Sequence, residues 1–302
     1  MSDVVWVALA GFFASMVDGS LGMGFGPTSS SILLSSGISP AAASTTVNLA
    51  KVFTGIAAGA SHWRLRNIDR RLVLRLAIPG AMGALIGTTI LSNVDGKSIR
   101  PYLAVLLILV GVRILFRFSQ VLPERRDRAF DAELEQRAPE FDDRGVAIAG
   151  AAGGVTNGLV GAWGPVVTPF LLHRGLPPRY AVGSVNTAEV AVAVVSAGSL
   201  FATGTEGLRW TIIVAMLGGG VLAAPVAAYI VRFFPPRLMG LAVAGLLLLT
   251  QSRELATTKD FPGSRWIAYV GIPILVVAAA FRPRIARRIR HRKRARSAAA
   301  NT

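Results

Sequence analysis

The feature that most limits the fold of this chain is a series of apolar runs, at residues 41–61, 72–91, 102–116, 181–201, 210–231, 238–249 and 266–281. A helix needs about 20 apolar residues to cross roughly 30 Å of hydrocarbon, and the longer runs reach that length. Only 16% of the residues are charged, against about 25% in soluble domains, and the mean hydropathy is +0.54. The chain reads as an all-α, polytopic membrane protein with little sequence left for a water-soluble domain.

A formal net charge of +16 could point to nucleic acid, but the placement of the charge argues otherwise. Nine of the 32 basic residues lie between Arg282 and Arg296, directly after the last apolar run. No aromatic residues interleave with them, as a base-stacking platform would require. Such a cluster fits a cytoplasmic terminus under the positive-inside bias and favours anionic lipid headgroups. The expectation is a multi-pass protein of the cell membrane, with no nucleic-acid partner. The chain has no cysteine, which removes thiolate metal sites and cysteine nucleophiles. His62, His173 and His291 lack the helical spacing of a metal pair, so neither metal nor cofactor is expected. No basic residue precedes the first apolar run, so no cleaved signal peptide is expected.

Shifting the chain on itself by 138 residues (186 − 48) lays Asn48 on Asn186 without a gap. GFGPTSSSILLSSGISP then falls on AWGPVVTPFLLHRGLPP, pairing Gly26 with Gly164, Pro27 with Pro165, Leu33 with Leu171, Leu34 with Leu172, Gly37 with Gly175 and Pro40 with Pro178. Further on, Val47 meets Val185, Ala50 meets Ala188 and Val52 meets Val190. Internal symmetry of this kind recurs in secondary transporters.

Each copy opens with segments too short to span. Residues 4–17 and 27–36 in the first copy, and 145–156 and 165–173 in the second, flank glycine-rich interruptions. Each pair is expected to form a re-entrant helical hairpin followed by three transmembrane helices. Three is odd, so the second copy is expected to be inverted, and one C-terminal helix completes the chain. The expected divisions are residues 1–118 for the first repeat, 119–144 for a charged cytoplasmic linker, 145–251 for the second repeat, 252–281 for a loop and final helix, and 282–302 for the basic tail. This arrangement puts Arg64, Arg66, Arg70 and Arg71, the linker and the tail on one side, as the charge bias requires.

Irregular backbone at membrane depth must be buried against protein or line a watery cavity. Pro27 and Pro165 suit the first turn of a helix, and helix N-termini attract anions. Gly24, Gly26 and Gly164, with the hydroxyls of Thr28 and Ser29, are therefore candidate ligands for a small anion, although glycines here could equally serve close helix packing. Lys51 and Glu189 occupy equivalent positions in apolar spans, where a charge is costly and should face a partner or a cavity. Two readings stay open: a structural ion pair, or Lys51 attracting the anion while Glu189 carries a proton. Asn48 and Asn186 lie one turn before these charges and are candidate ligands. Asp18, with Thr156 as its counterpart, is assigned to the loop mouth, to a capping bond or to proton coupling. Trp163 is a candidate lining residue.

These residues resemble the sulfite exporter TauE/SafE family of multi-pass membrane proteins. The likeness rests on the glycine loop ending in Gly26-Pro27, on GISPAAASTTVNLAKV, and on the second copy with Gly164-Pro165 and GLPPRYAVGSVNTAEV. It implies transport, by export and with or without proton coupling, of a small sulfur-containing anion such as sulfite, thiosulfate or an organosulfonate. Met23, Phe25, Ala162 and Trp163 depart from the family's usual glycine clusters. The alternatives are an intramembrane enzyme acting on lipid or polyisoprenyl phosphates, for which Asp18 and Glu189 are the available carboxylates, and a membrane scaffold whose tail recruits RNA or lipid.

Overall fold

The computed structural model describes residues 2–21, 24–120, 143–204, 210–230, 236–258, 269–279 and 281. Among these the regular structure is entirely helical. The first five helices are α1 (Ser2–Leu21), α2 (Phe25–Ser35), α3 (Pro40–Arg64), α4 (Arg70–Asn93) and α5 (Gly96–Ser119). The next five are α6 (Val146–Val160), α7 (Gly164–His173), α8 (Pro178–Ala202), α9 (Trp210–Ile230) and α10 (Pro236–Thr258). A further helix, α11, covers Tyr269–Ala279. Residues 121–142, most of the expected linker, and 282–302, the basic tail, lie outside the described residues.

The helix bounds follow the sequence repeat. α3 and α8 start 138 residues apart (178 − 40) and end 138 apart (202 − 64). The short helices end alike: Gly37 and Gly175 take positive φ of 84° and 89°, and the following amides close back on the helix, Ile38 N donating to Leu33 O at 3.2 Å and Leu176 N to Leu171 O at 3.1 Å. This is the glycine-terminated turn that satisfies the last carbonyls of a helix.

Two expectations change. α1 runs 20 residues, about 30 Å at 1.5 Å per residue, rather than the 14 of residues 4–17. Gly19 lowers helix propensity without breaking the helix, so the interruption shrinks to the few residues before Phe25. The expected match of Asp18 to Thr156 also fails. α1 ends at Leu21 and α6 at Val160, which are 139 residues apart. Asp18 and Asn157 are thus each three residues before the last residue described for their helices, and the same 139-residue offset lays Gly22 on Gly161.

Three helices among the described residues are long and apolar enough to cross a membrane: Arg70–Asn93, Gly96–Ser119 and Tyr180–Ala202. α3 has the length but carries Ser44, Thr45, Thr46, Asn48 and Lys51, all buried inside the protein. Its outward residues, such as Phe53 and Ile56, are exposed and apolar.

The principal packing pairs are α4 with α6, α1 with α9, α3 with α8 and α5 with α10. Glycines set the first two. A Cβ on Gly150 would stand 2.9 Å from Leu76 O, and one on Gly158 would stand 2.7 Å from Ala84 O. Gly11 of α1 likewise faces Met216 of α9, with a Cβ 3.0 Å from its Cα. Small residues let helix backbones touch where lipid offers no hydrophobic driving force. Within the bilayer that contact replaces the burial that drives soluble cores.

Two turns fix the ends of α4. Pro40, at the start of α3, lies 3.4 Å from a Cβ on Gly96, at the start of α5. At the other end the Asp69 backbone amide donates to Ser184 Oγ at 3.0 Å, near the start of α8. α3 therefore begins beside the end of α4, and α8 beside its start. Asp69 caps α4 by accepting from Arg71 N at 2.9 Å and Leu72 N at 3.2 Å. Asp95 caps α5, and the Ser98 and Lys97 amides hold its carboxyl below the usual carboxylate range.

Candidate functional site

The two glycine interruptions meet. Gly26 lies against the Gly161 carbonyl, and a Cβ there would overlap that carbonyl and stand 2.8 Å from Lys51 Nζ. From the other side, a Cβ on Gly161, whose φ is 67°, would stand 3.3 Å from Gly26 Cα. Only glycine fits at Gly26, because the two main chains touch, and Gly161 additionally needs the left-handed backbone that glycine tolerates.

α6 ends inside the protein, where Gly161 N still closes on Asn157 O at 2.8 Å but the carbonyls beyond it have no helical partner. Side chains from the first copy supply donors. Asn48 Nδ2 donates to Asn157 O at 3.3 Å, Ser44 Oγ to Gly158 O at 2.6 Å, Ser30 Oγ to Val160 O at 2.8 Å, and Lys51 Nζ to Gly161 O at 2.6 Å. A broken helix is thereby tolerated at depth, since each unsatisfied carbonyl would cost several kcal/mol. A cation at the carbonyl end also suits the helix dipole.

Lys51 uses its remaining donors on Asn157 Oδ1, at 3.1 Å, and on Glu189 of α8. The sequence pairing of Lys51 with Glu189 is thus met by direct contact, and two residues 138 apart touch where the copies face each other. Asn48 gives the rest of its amide to Ser44, with Nδ2 2.9 Å from Ser44 O, and accepts from Asn157 Nδ2 at 2.6 Å. Asn157 Nδ2 also reaches Ser196 Oγ at 3.1 Å. Asn157 is fully buried and ties α3, α6 and α8 together. Reading the sequence without a gap passed over it. The one-residue gap that restores the glycine match of Gly22 with Gly161 would have set it beside Asp18.

Other candidates stand apart from this network. Gly24 precedes α2 as its N-cap, and Gly164 begins α7; both are buried. Thr28 and Ser29, at 3% and 0% exposure, have side-chain oxygens without a partner among the described residues, as does Thr168 of α7. Asn186 is half-buried one turn before Glu189 and makes no side-chain hydrogen bond among the described residues. Asp18 lies in the last turn of α1, and the expectations for its side chain fall outside what is described. Trp163 sits away from the loop surface. It is fully buried between α4, α6 and α8, its ring 2.8 Å from a Cβ on Gly80, and it donates from Nε1 to Val185 O at 3.1 Å. Among the described residues no cluster of metal-ligating side chains occurs.

The site therefore has two chemical faces: a carbonyl end closed by Lys51, Asn48, Ser44 and Ser30, and a hydroxyl-rich helix start with unpartnered oxygens. Residues 7–253 match the family model for the sulfite exporter TauE/SafE. Over 282 residues the chain is 39% identical to "Probable membrane transporter protein YtnM" of Bacillus subtilis (strain 168), across 92% of this chain and 89% of that protein. No solved structure matches it. A doubled Gly-Pro loop closed across two copies, the family match and the transporter relative agree: the chain belongs to the TauE/SafE sulfite exporter family and is a membrane transporter rather than an enzyme.

Proposed function

We propose that the cargo is a small sulfur-containing oxyanion such as sulfite, thiosulfate or an organosulfonate, exported through the junction of the two glycine loops. The observation that carries this is the start of α2. Residues 25–31 are all buried, and Thr28 and Ser29 keep hydroxyls with no partner among the described residues. Buried hydroxyls are nearly always paired. Unpaired ones at a helix N-terminus, where the dipole favours negative charge, suit a ligand that accepts hydrogen bonds. Gly24 and Gly164 would let it approach the main chain, with Asn186 beside it, while Gly26 and Asn48 hold the junction against Gly161 and Asn157.

Support for two inverted copies comes from α3 and α8 beginning beside opposite ends of α4 and from the pairing of α4 with α6 and α9 with α1. On this reading each short helix enters and leaves by one face, and the basic tail is cytoplasmic, near anionic headgroups. Proton coupling follows from the same symmetry. Lys51 closes the carbonyl end of α6, and the repeat would set its counterpart, Glu189, toward the carbonyl end of α1. A carboxyl group can donate to a carbonyl only when protonated. Competition between Lys51 and such a bond would link Glu189 protonation to anion movement, with Asp18 as a second carboxylate in the last turn of α1.

The test is flux of radiolabelled sulfite, with sulfate as comparator, in proteoliposomes with and without a pH gradient. Sulfite should move and a pH gradient should accelerate it, while Glu189→Gln should transport without that acceleration. Equal, gradient-independent leakage of both anions, matching empty vesicles, would contradict the reading.

A further inference from the structure

Beyond the loop junction, α2 meets polar groups of α5 and α10 that have few polar counterparts around α7. On α2, Ser31 lies one turn beyond Thr28 on the same face. Ser31 Oγ shares a hydrogen bond with Thr250 Oγ1 of α10 at 2.6 Å and accepts from Gln251 Nε2 at 2.7 Å. Gln251 is 1% exposed, and its Oε1 has no partner among the described residues. One turn further, Arg100 of α5 donates to Glu254 of α10 at 3.1 Å and to the carbonyls of Leu34 at 3.4 Å and Ile38 at 2.9 Å. The Arg100 and Glu254 side chains are 24% and 20% exposed, so this end opens toward the surface.

From Thr28 to Leu34 is about 9 Å of helix. Over that length the seam between α2, α5 and α10 therefore runs from the loop junction to one face of the protein. The repeat counterparts 138 residues away are Val166 for Thr28, Pro169 for Ser31, Leu238 for Arg100, Val112 for Thr250 and Phe116 for Glu254, while Gln251 answers to Arg113, which is exposed. Buried polar groups in a membrane protein are costly and mark ion or substrate paths. Packing alone does not require them here, because the second copy builds the same short helix with apolar residues.

The geometry points to the α2–α5–α10 seam as the route by which a small oxyanion passes between the loop junction and the face bearing Arg100, with the Arg100–Glu254 pair as its gate. This rests on the reading that the cargo is a small anion. Thr28, Ser31 and Thr250 offer hydroxyls, and the Gln251 amide can turn to offer either its donor or its acceptor end. Arg100 at the mouth selects negative charge, and Glu254 holds it closed until an anion competes for the guanidinium.

The cysteine-free chain allows a direct test. Thr28→Cys, Ser31→Cys and, as comparator, Val166→Cys are reconstituted, checked for monodisperse elution, and labelled with the membrane-impermeant anion 2-sulfonatoethyl methanethiosulfonate. Thr28→Cys and Ser31→Cys should react from one side only and at least tenfold faster than Val166→Cys. Adding Glu254→Gln should raise the Ser31→Cys rate several-fold, and millimolar methanesulfonate, an organosulfonate that does not consume the reagent, should slow it. Rates for Thr28→Cys and Ser31→Cys no higher than for Val166→Cys, with and without Glu254→Gln, would overturn the route. If that happens in protein that still moves sulfite, the seam alone is refuted. Labelling that methanesulfonate fails to slow supports the seam and counts against an organosulfonate cargo.

Discussion

The short helices α2 and α7 share a frame and differ in lining. Both follow a glycine interruption, carry a Gly-Pro pair at the start, end in a left-handed glycine and lead into a 25-residue helix. Yet α2 reads FGPTSSSILLS and faces hydroxyls, an amide and an ion pair, whereas α7 reads GPVVTPFLLH and packs against apolar neighbours. The shared parts satisfy backbone geometry at depth, which both copies need. The unshared parts bury four consecutive hydroxyls in α2, two of them without a partner among the described residues, against the single Thr168 in α7. The comparison separates what holds the bundle together from what meets the cargo.

The sharpest break of that comparison is at the contact both interruptions share. Gly26→Ala puts a methyl group into the Gly161 carbonyl, where the opposing atom is backbone and cannot yield. It should abolish monodisperse protein in detergent. Gly37→Ala, with nothing within 4 Å of its Cβ but a φ of 84°, should lose only about 1 kcal/mol. Gly175→Ala should match it, because the cap is the same.

Lys51→Met comes next. It leaves Gly161 O, Asn157 Oδ1 and Glu189 without their cation, and loss of one partner from a buried pair costs about 3–5 kcal/mol. The thermal midpoint should fall by many degrees, and Lys51→Met with Glu189→Leu should recover part of that loss. Exchanging the two residues places a carboxylate at the carbonyl end of α6. The exchanged protein should be less stable than the parent, whereas a midpoint equal to the parent's would reduce the pair to an interchangeable bridge.

The smallest effect separates repeat counterparts. Ser30 donates to Val160 O, while Thr168, 138 residues later, has no partner among the described residues. Ser30→Ala should cost about 1–3 kcal/mol by stranding a buried carbonyl. Thr168→Val should be close to neutral in thermal melts. Equal losses would mean that the bond from Ser30 to Val160 O adds nothing beyond side-chain packing.

The sequence made much of this legible for particular reasons. A repeat without gaps over GFGPTSSSILLSSGISP located both short helices to within a residue or two, since glycine and proline dictate where helices stop and start. The same alignment set Lys51 over Glu189, and their contact follows from two equivalent charges meeting where the copies face each other. Asn157 was hidden because one deleted residue in the second loop shifts its register. The caps on the α6 carbonyls were hidden for a different reason. Ser30, Ser44 and Asn48 are ordinary polar residues until a helix 100 or more positions away ends beside them. Trp163 read as a pocket residue because it sits in the loop, yet Gly80 and Gly153 open a slot for its ring between helices.

The most direct measurement is sulfite flux through protein carrying Thr28→Val together with Ser29→Ala. These changes remove unpartnered hydroxyls, so the thermal midpoint should stay within a degree or two of the parent while the sulfite concentration for half-maximal flux rises at least tenfold. Parent-like flux and half-saturation in that variant would mean that the start of α2 does not bind the cargo, and the account of the junction would fail.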